Sequence, residues 1–192
     1  MSFSASTTLR TAVFPRTSAV TNVVAVASGV TFLAILAQIA LPIPGSPVPV
    51  TGQTLGVLLI GASYGSRLGV TTFLTYLLVG MAGAPVFAEG ASGLARLTGP
   101  TGGYLFGMLV STYLIGALAG RRWDQRVRTA LPAMLLGTVV IFSFGLFWLH
   151  NYTNNSWSWT FSAGLTPFII GEVLKIAIAG TSLPLVWRFV QK

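Results

Sequence analysis

Cysteine is absent from the 192 residues, which excludes disulfide frameworks and thiolate metal sites and leaves the redox compartment unread. Acid is scarce as well: three Asp and Glu stand against eleven Lys and Arg, with a single histidine. The acids, Glu89, Asp124 and Glu172, fall in three separate segments, so no metal site is expected, and His150 reads as an interfacial residue. Charge of either sign makes up only 7% of the chain, whereas a soluble domain carries about a quarter, and this shortage excludes an ordinary soluble fold. No Gly-x-x-x-x-Gly-Lys-[Ser/Thr] loop occurs and no nucleophile stands beside a base. No bound cofactor is therefore expected, and any ATP-driven process needs another polypeptide.

Over half of the residues are hydrophobic, and they gather in runs at about 22–41, 53–64, 67–81, 103–120, 130–150 and 164–190. A membrane helix needs roughly 20 apolar residues, so the chain has room for about six spans and little else. The expectation is an all-α integral membrane protein: a mobile cytoplasmic N-terminal tail over 1–21, then a single six-helix membrane domain over 22–192 with structured outer loops. Residues 53–81 are ambiguous between one tilted helix and two short ones broken near Tyr64-Gly65-Ser66-Arg67. Parity favours two, because only then do Arg10, Arg16 and the cluster Arg121, Arg122, Arg126, Arg128 share one side, as the positive-inside rule requires. With both termini cytoplasmic, Arg67, Arg188 and Lys192 join them, which places nine of the eleven cations. Membrane topology, rather than nucleic acid, thus accounts for the basic balance. Lys175 and Arg96 are left over.

Lys175 lies with Glu172 inside the last apolar run. A charge at mid-bilayer costs roughly 2.5 to 3.5 kcal/mol on insertion scales, so such residues need mutual compensation or a function. Their i, i+3 spacing puts them on one helix face, where they can pair. Arg96 sits in a Gly-rich, partly apolar outer loop over 84–104, suited to gripping a carboxylate bidentately or to an internal salt bridge with Glu89. The other outer loop holds four prolines in the eight residues from Pro42 to Pro49. They forbid helix and fix an extended path that delivers Thr51 and Gln53 to the start of the second span. Small residues recur at four-residue spacing, as in Gly61/Gly65/Gly69 and Gly99/Gly103/Gly107, and let helices approach closely. The pair Ala25 and Gly29 in the first span is the candidate for docking a partner. Trp157 and Trp159 fit an interfacial aromatic belt.

The string Pro44-Gly45-Ser46-Pro47-Val48-Pro49-Val50-Thr51-Gly52-Gln53-Thr54-Leu55 is followed by Gly83-Ala84-Pro85-Val86-Phe87-Ala88, by Gly99-Pro100-Thr101-Gly102-Gly103-Tyr104-Leu105 and by Pro167-Phe168-Ile169-Ile170-Gly171-Glu172-Val173-Leu174-Lys175. In combination and in this order they resemble the BioY family, the biotin-capturing S components of energy-coupling factor (ECF) transporters, over about residues 25–190. The resemblance implies a six-helix, multi-pass protein of the cell membrane that takes up biotin. It also implies partnership with a transmembrane coupling protein and two ATP-binding-cassette ATPases. Two departures stand out: Glu172 occupies a position where the family commonly carries Asp, and Gly29 one where it usually carries alanine.

Biotin offers two ureido N–H donors, an apolar bicycle and chain, and a carboxylate. Glu172 is the expected acceptor for the ureido group, with Lys175 compensating its charge and donating to the ureido oxygen. Phe87 and Tyr104 are expected as apolar walls, with Gln53 and Glu89 alongside. Arg96 is expected to pair with the carboxylate, and the opposite polarity, with Lys175 on the carboxylate, stays open. The competing readings are an S component for another vitamin, an intramembrane enzyme using Glu172 as general base, and a noncatalytic assembly subunit.

Overall fold

The computed structural model describes residues 8–15 and 18–191. Among these residues five elements are long and apolar enough to cross a membrane: Ala19–Gln38, Gln53–Met81, Gly102–Ala119, Val127–Thr153 and the run Trp157–Val190. They are numbered here α2 (Ala19–Gln38), α3 (Gln53–Met81), α5 (Gly102–Ala119) and α6 (Val127–Thr153), while the last run divides into α7 (Trp157–Gly164) and α8 (Ile169–Val190). Two short helices, α1 (Leu9–Val13) and α4 (Ala95–Thr98), complete the set.

Helix α3 is not straight. Gly65 within it has φ 77 and ψ 176, a left-handed conformation that glycine adopts without penalty. The chain reverses there: Gln53 Nε2 donates to Tyr76 Oη at 2.8 Å, although 23 residues of continuous helix would span about 35 Å. The break expected near Tyr64–Arg67 is thus a hairpin of two helical halves. Gly116 of α5 closes against its bend, since a Cβ at that position would come within 2.5 Å of Gly65 and Ser66 backbone atoms. The small-residue ladders serve this internal packing of α3, α5 and α6.

The bundle consequently has two unlike ends. One carries the Gly65 bend, the turn Trp123–Gln125 between α5 and α6, and the start of α2. The other carries three connections. The first, rich in proline, is pinned as a two-residue β-ladder, β1 (Ala40–Leu41) against β2 (Val50–Thr51), with Ala40 opposite Thr51. The second, between α3 and α5, is tied to α2 by Gln38, whose Nε2 donates to the Phe87 carbonyl at 3.1 Å and whose Oε1 accepts from Gly90 N at 3.0 Å. The third contains α7, which the sequence reading treated as loop. Ser156 caps it by accepting from Trp159 N, and Pro167 then turns the chain into α8. His150 stacks on Trp157 at this end, ring centroids 3.9 Å apart.

Two expectations need correction. The tail over 1–21 is not unstructured in its described part: α1 packs on α3 and α8, Thr8 caps it, and Arg10 reaches Thr21 and Asn22, with α2 already begun at Ala19. The assignments of Arg16 and Lys192 to one face lie outside the described residues. Gly29 is spent on internal packing, because a Cβ there would meet Thr72 at 2.6 Å and Tyr64 at 3.0 Å. It therefore presents no open docking surface, while Ala25 remains partly exposed.

At the first end, Asp124 sits in the α5–α6 turn among four arginines in sequence yet forms no salt bridge with them. It is 2% exposed and accepts from the Trp187 indole N–H of α8, with its Oδ1 unpartnered. Burial pushes its carboxyl up from 3.8 to about 6, only partly offset by the indole hydrogen bond. A raised folded-state pKa contributes stability fully below about pH 4 and loses it as pH rises through about 6. The expected size is on the order of 3 kcal/mol, from roughly two pKa units. Thermal unfolding in detergent should show the wild-type midpoint falling between pH 4 and 7, and Asp124→Asn should remove that segment of the pH dependence. An unchanged profile in the variant would contradict the assignment.

Candidate functional site

A narrow cavity opens at the end where the three long connections gather. Three helix N-termini border it: Gln53 and Thr54 begin α3, Thr101 precedes α5, and Phe168 precedes α8. Their helix dipoles give the region a positive bias that suits an anionic ligand.

The walls are aromatic. Tyr104 lies near-parallel to Phe168 at 6.4 Å and edge-on to Phe142 at 5.7 Å, and Phe142 meets Phe168 edge-on at 5.6 Å. The Tyr104 hydroxyl donates to the Gly164 carbonyl at 2.8 Å, which fixes the ring and satisfies the end of α7. Opposite, Phe87 is 2% exposed and packs edge-on against Tyr76 at 5.4 Å. A relay holds that side, in which Gln53 donates to Tyr76 and Tyr76 donates to the Val86 carbonyl at 2.9 Å. The loop bearing Phe87 is thereby fastened to α3.

Polar chemistry enters from two directions. Glu172 on α8 is 5% exposed, and its Oε1 accepts from Thr54 Oγ1 at 2.8 Å and from Lys175 Nζ at 2.6 Å. Its Oε2 is buried without a partner. Lys175 is fully engaged, donating also to the Thr51 carbonyl at 2.6 Å and to Thr54 Oγ1 at 2.9 Å, and it does not line the cavity. Arg96 does line it. One terminal nitrogen of Arg96, Nη2, donates to Glu89 Oε2 and to the Ala88 carbonyl, both at 2.9 Å, while Nη1 and Nε make no hydrogen bond among the described residues. The salt bridge considered for Arg96 is therefore present and leaves donors unused. An unpaired buried acceptor commonly costs about 1–3 kcal/mol, so Glu172 Oε2 is poised to take a donor.

Against this geometry the comparisons are specific. The sequence model of the BioY family matches residues 6–192. The chain belongs to the BioY family. Biotin transporter BioY2 of Lactococcus lactis subsp. cremoris is 37% identical over 164 residues, covering 82% of this chain and 87% of that protein. Biotin transporter BioY of Thermotoga maritima is 35% identical over 137 residues, covering 71% and 79%. Among solved structures, the S-component for biotin from an ECF-type ABC transporter superposes with a TM-score of 0.81 at 25% identity, covering 92% of this chain and 96% of that one.

Within this BioY chain the cavity gathers Gln53, Phe87, Arg96, Tyr104 and Glu172 from the residues singled out by sequence. Lys175 stands behind Glu172, and Glu89 stands behind Arg96. Phe142 and Met108 were not anticipated, because an apolar residue facing a cavity looks the same in sequence as one facing core or lipid. Thr54 was quoted only within a motif. Its hydroxyl joins Glu172 to Lys175 across 118 and 121 residues of sequence, a pairing no spacing rule reveals.

Thr54→Val should leave the shape intact while removing one donor to Glu172 and one acceptor for Lys175. The expected cost is about 1–3 kcal/mol in stability. It would be read as a lowered thermal midpoint in detergent and largely recovered by Thr54→Ser. Equal midpoints for the Val and Ser variants would show that the hydroxyl does not support the ion pair.

Proposed function

We propose that this protein captures biotin as the S component of an ECF-type transporter. Supporting the proposal is the family membership together with one feature of the cavity: a buried carboxylate oxygen without a partner at Glu172, set apart from a guanidinium with unused donors at Arg96. Biotin matches that pair at its two ends. The ureido N–H groups suit Glu172 Oε2, the bicycle and valeryl chain suit Tyr104, Phe142, Phe168 and Phe87, and the carboxylate suits Arg96 Nη1 and Nε. The contacts of Lys175 favour Arg96 as the carboxylate partner, since Lys175 has no donor to spare without giving up Glu172, Thr54 or Thr51. Lys175 then acts through Glu172, offsetting its charge and fixing its rotamer.

In this reading the two halves of α3 each cross the membrane, making six spans with α2, α5, α6 and α8. Both ends of the chain face the cytoplasm, and the cavity opens outward. The cationic end carries Arg10, Arg67, Arg121, Arg122, Arg126, Arg128 and Arg188, which fits the positive-inside rule for a protein of the plasma membrane. Transport is energised by a transmembrane coupling protein and two ATPase subunits, because this chain carries no phosphate-binding loop. The protein is a transporter subunit and performs no covalent chemistry on its cargo.

Calorimetric titration tests the site. Glu172→Gln should weaken biotin about 10- to 150-fold, the range for a charge-assisted hydrogen bond of roughly 1.5–3 kcal/mol. Arg96→Ala should weaken free biotin by a similar factor and biotinamide far less, because the amide lacks the anionic end. Equal losses for the two ligands would exclude Arg96 as the carboxylate partner, and absence of any biotin binding by the wild type would remove the proposal.

A further inference from the structure

A ureido group carries a carbonyl oxygen as well as its N–H donors. In a five-membered cyclic urea each N–H lies beside that oxygen, so one edge of the ring presents a donor and an acceptor together. Glu172 Oε2 answers the donor. Lys175, expected from the sequence to answer the oxygen, does not line the cavity and spends its contacts on Thr51, Thr54 and Glu172. A carbonyl buried without a donor is costly, so another group of the cavity wall has to supply one.

Most polar side chains of that wall have no proton to give. The single hydroxyl protons of Thr54, Thr101 and Tyr104 go to Glu172 Oε1 at 2.8 Å, to the Arg96 carbonyl at 3.1 Å and to the Gly164 carbonyl at 2.8 Å. Thr51 Oγ1 accepts from Gln53 N at 3.3 Å and gives its proton to Gln53 Oε1 at 3.2 Å. Arg96 has donors to spare but belongs to the carboxylate end of the ligand. That leaves the side-chain amide of Gln53, which is 5% exposed and lines the cavity. Its orientation follows from its neighbours: the one proton of Tyr76 Oη goes to the Val86 carbonyl at 2.9 Å, so the Gln53 atom 2.8 Å from Oη must itself donate and is Nε2. An amide nitrogen carries two N–H groups, and Tyr76 takes one. The other makes no hydrogen bond among the described residues.

We infer that Gln53 is a specificity-determining residue whose second Nε2–H donates to the ureido oxygen, beside the ureido N–H that Glu172 Oε2 accepts. The assignment rests on the biotin reading above and refines it. Gln53 opens α3, and Thr54, the next residue, holds Glu172, so neighbouring positions of one helix set donor and acceptor together. Thr51 and Tyr76 lock the amide from both ends, so it cannot flip to offer an acceptor instead. The site then selects an edge with N–H beside C=O and works against an edge that carries donors only.

Calorimetric titration at neutral pH with biotin and with 2-iminobiotin tests the inference. In the second ligand an imino group replaces the ureido oxygen, and as a guanidinium it donates and cannot accept. Gln53→Met removes the amide donor from a side chain of similar length. It should weaken biotin about tenfold, the upper part of the range for one hydrogen bond. 2-Iminobiotin should bind the variant as well as the wild type or tighter, since a donor facing a donor is gone. Tyr76→Phe keeps the amide and breaks its tie to the Phe87 loop, so it should alter both ligands by the same factor. Thermal midpoints in detergent show which variants fold, and Gln53→Leu serves the same test should the Met variant be unfolded. Equal weakening of the two ligands by a folded Gln53→Met, or unchanged biotin binding, would overturn the inference and leave the biotin reading standing. Selective loss of biotin in Tyr76→Phe would overturn it too, by showing that the amide acts only through the loop. A wild type that binds neither ligand would remove the biotin reading and this assignment with it.

Discussion

The site depends on how one carboxylate is kept inside an apolar bundle. Glu172 gives up one oxygen to Thr54 and Lys175 and keeps the other unpaired, so the ion pair is both structural and incomplete. A pair in which both oxygens were saturated would hold α8 against α3 equally well but offer nothing to a ligand. Burying charge is tolerable only when most of its hydrogen-bonding capacity is met, and what remains unmet defines where a donor must arrive. Thr51 and Thr54 complete the arrangement. They take the remaining donors of Lys175 and hold the ammonium outside the cavity lining.

The rest of the cavity end is built to keep that geometry still. The proline-rich connection cannot wander, because it is extended by its own residues and paired at Ala40 and Thr51. Gln38 clamps the next connection by its backbone on both sides of the left-handed Glu89. Tyr76 grips the same connection from α3, and Tyr104 grips the end of α7. The second connection is thus tied to α2 and α3 and the third to α5 by side chains, while the first is held by its own ladder. The Gln38 clamp is the most exposed of these ties.

Much of this was legible in the chain itself, and the reasons differ by feature. The helices could be read because charge is so scarce that each apolar run stands out, and because arginine parity forced a break near Gly65. Glu172, Lys175 and Arg96 could be read because an ionisable residue in apolar surroundings is expensive wherever it lies. The motif order supplied the family. What stayed hidden depends on contact rather than composition: α7, whose Trp157–Gly164 segment falls between the apolar runs 130–150 and 164–190, the facing of Phe142, and the inward turn of Gly29. Helix α1 was hidden for another reason, since five residues are too few to form helix alone and gain their order from the α3 and α8 surface.

The two deeply buried acids show how differently one chain treats the same group. Glu172 and Asp124 each have one partnered and one unpartnered oxygen. Glu172 is met by an ammonium and lines a cavity, whereas Asp124 is met only by a neutral indole and lies against packed helices, where burial acts on it almost uncompensated. The arginines nearest Asp124 in sequence point elsewhere, so the turn forgoes an available salt bridge. Among the described residues that choice leaves Arg121, Arg122, Arg126 and Arg128 without a salt bridge. At the opposite end Arg96 is treated otherwise, since Glu89 pairs with one of its nitrogens while the guanidinium still lines the cavity.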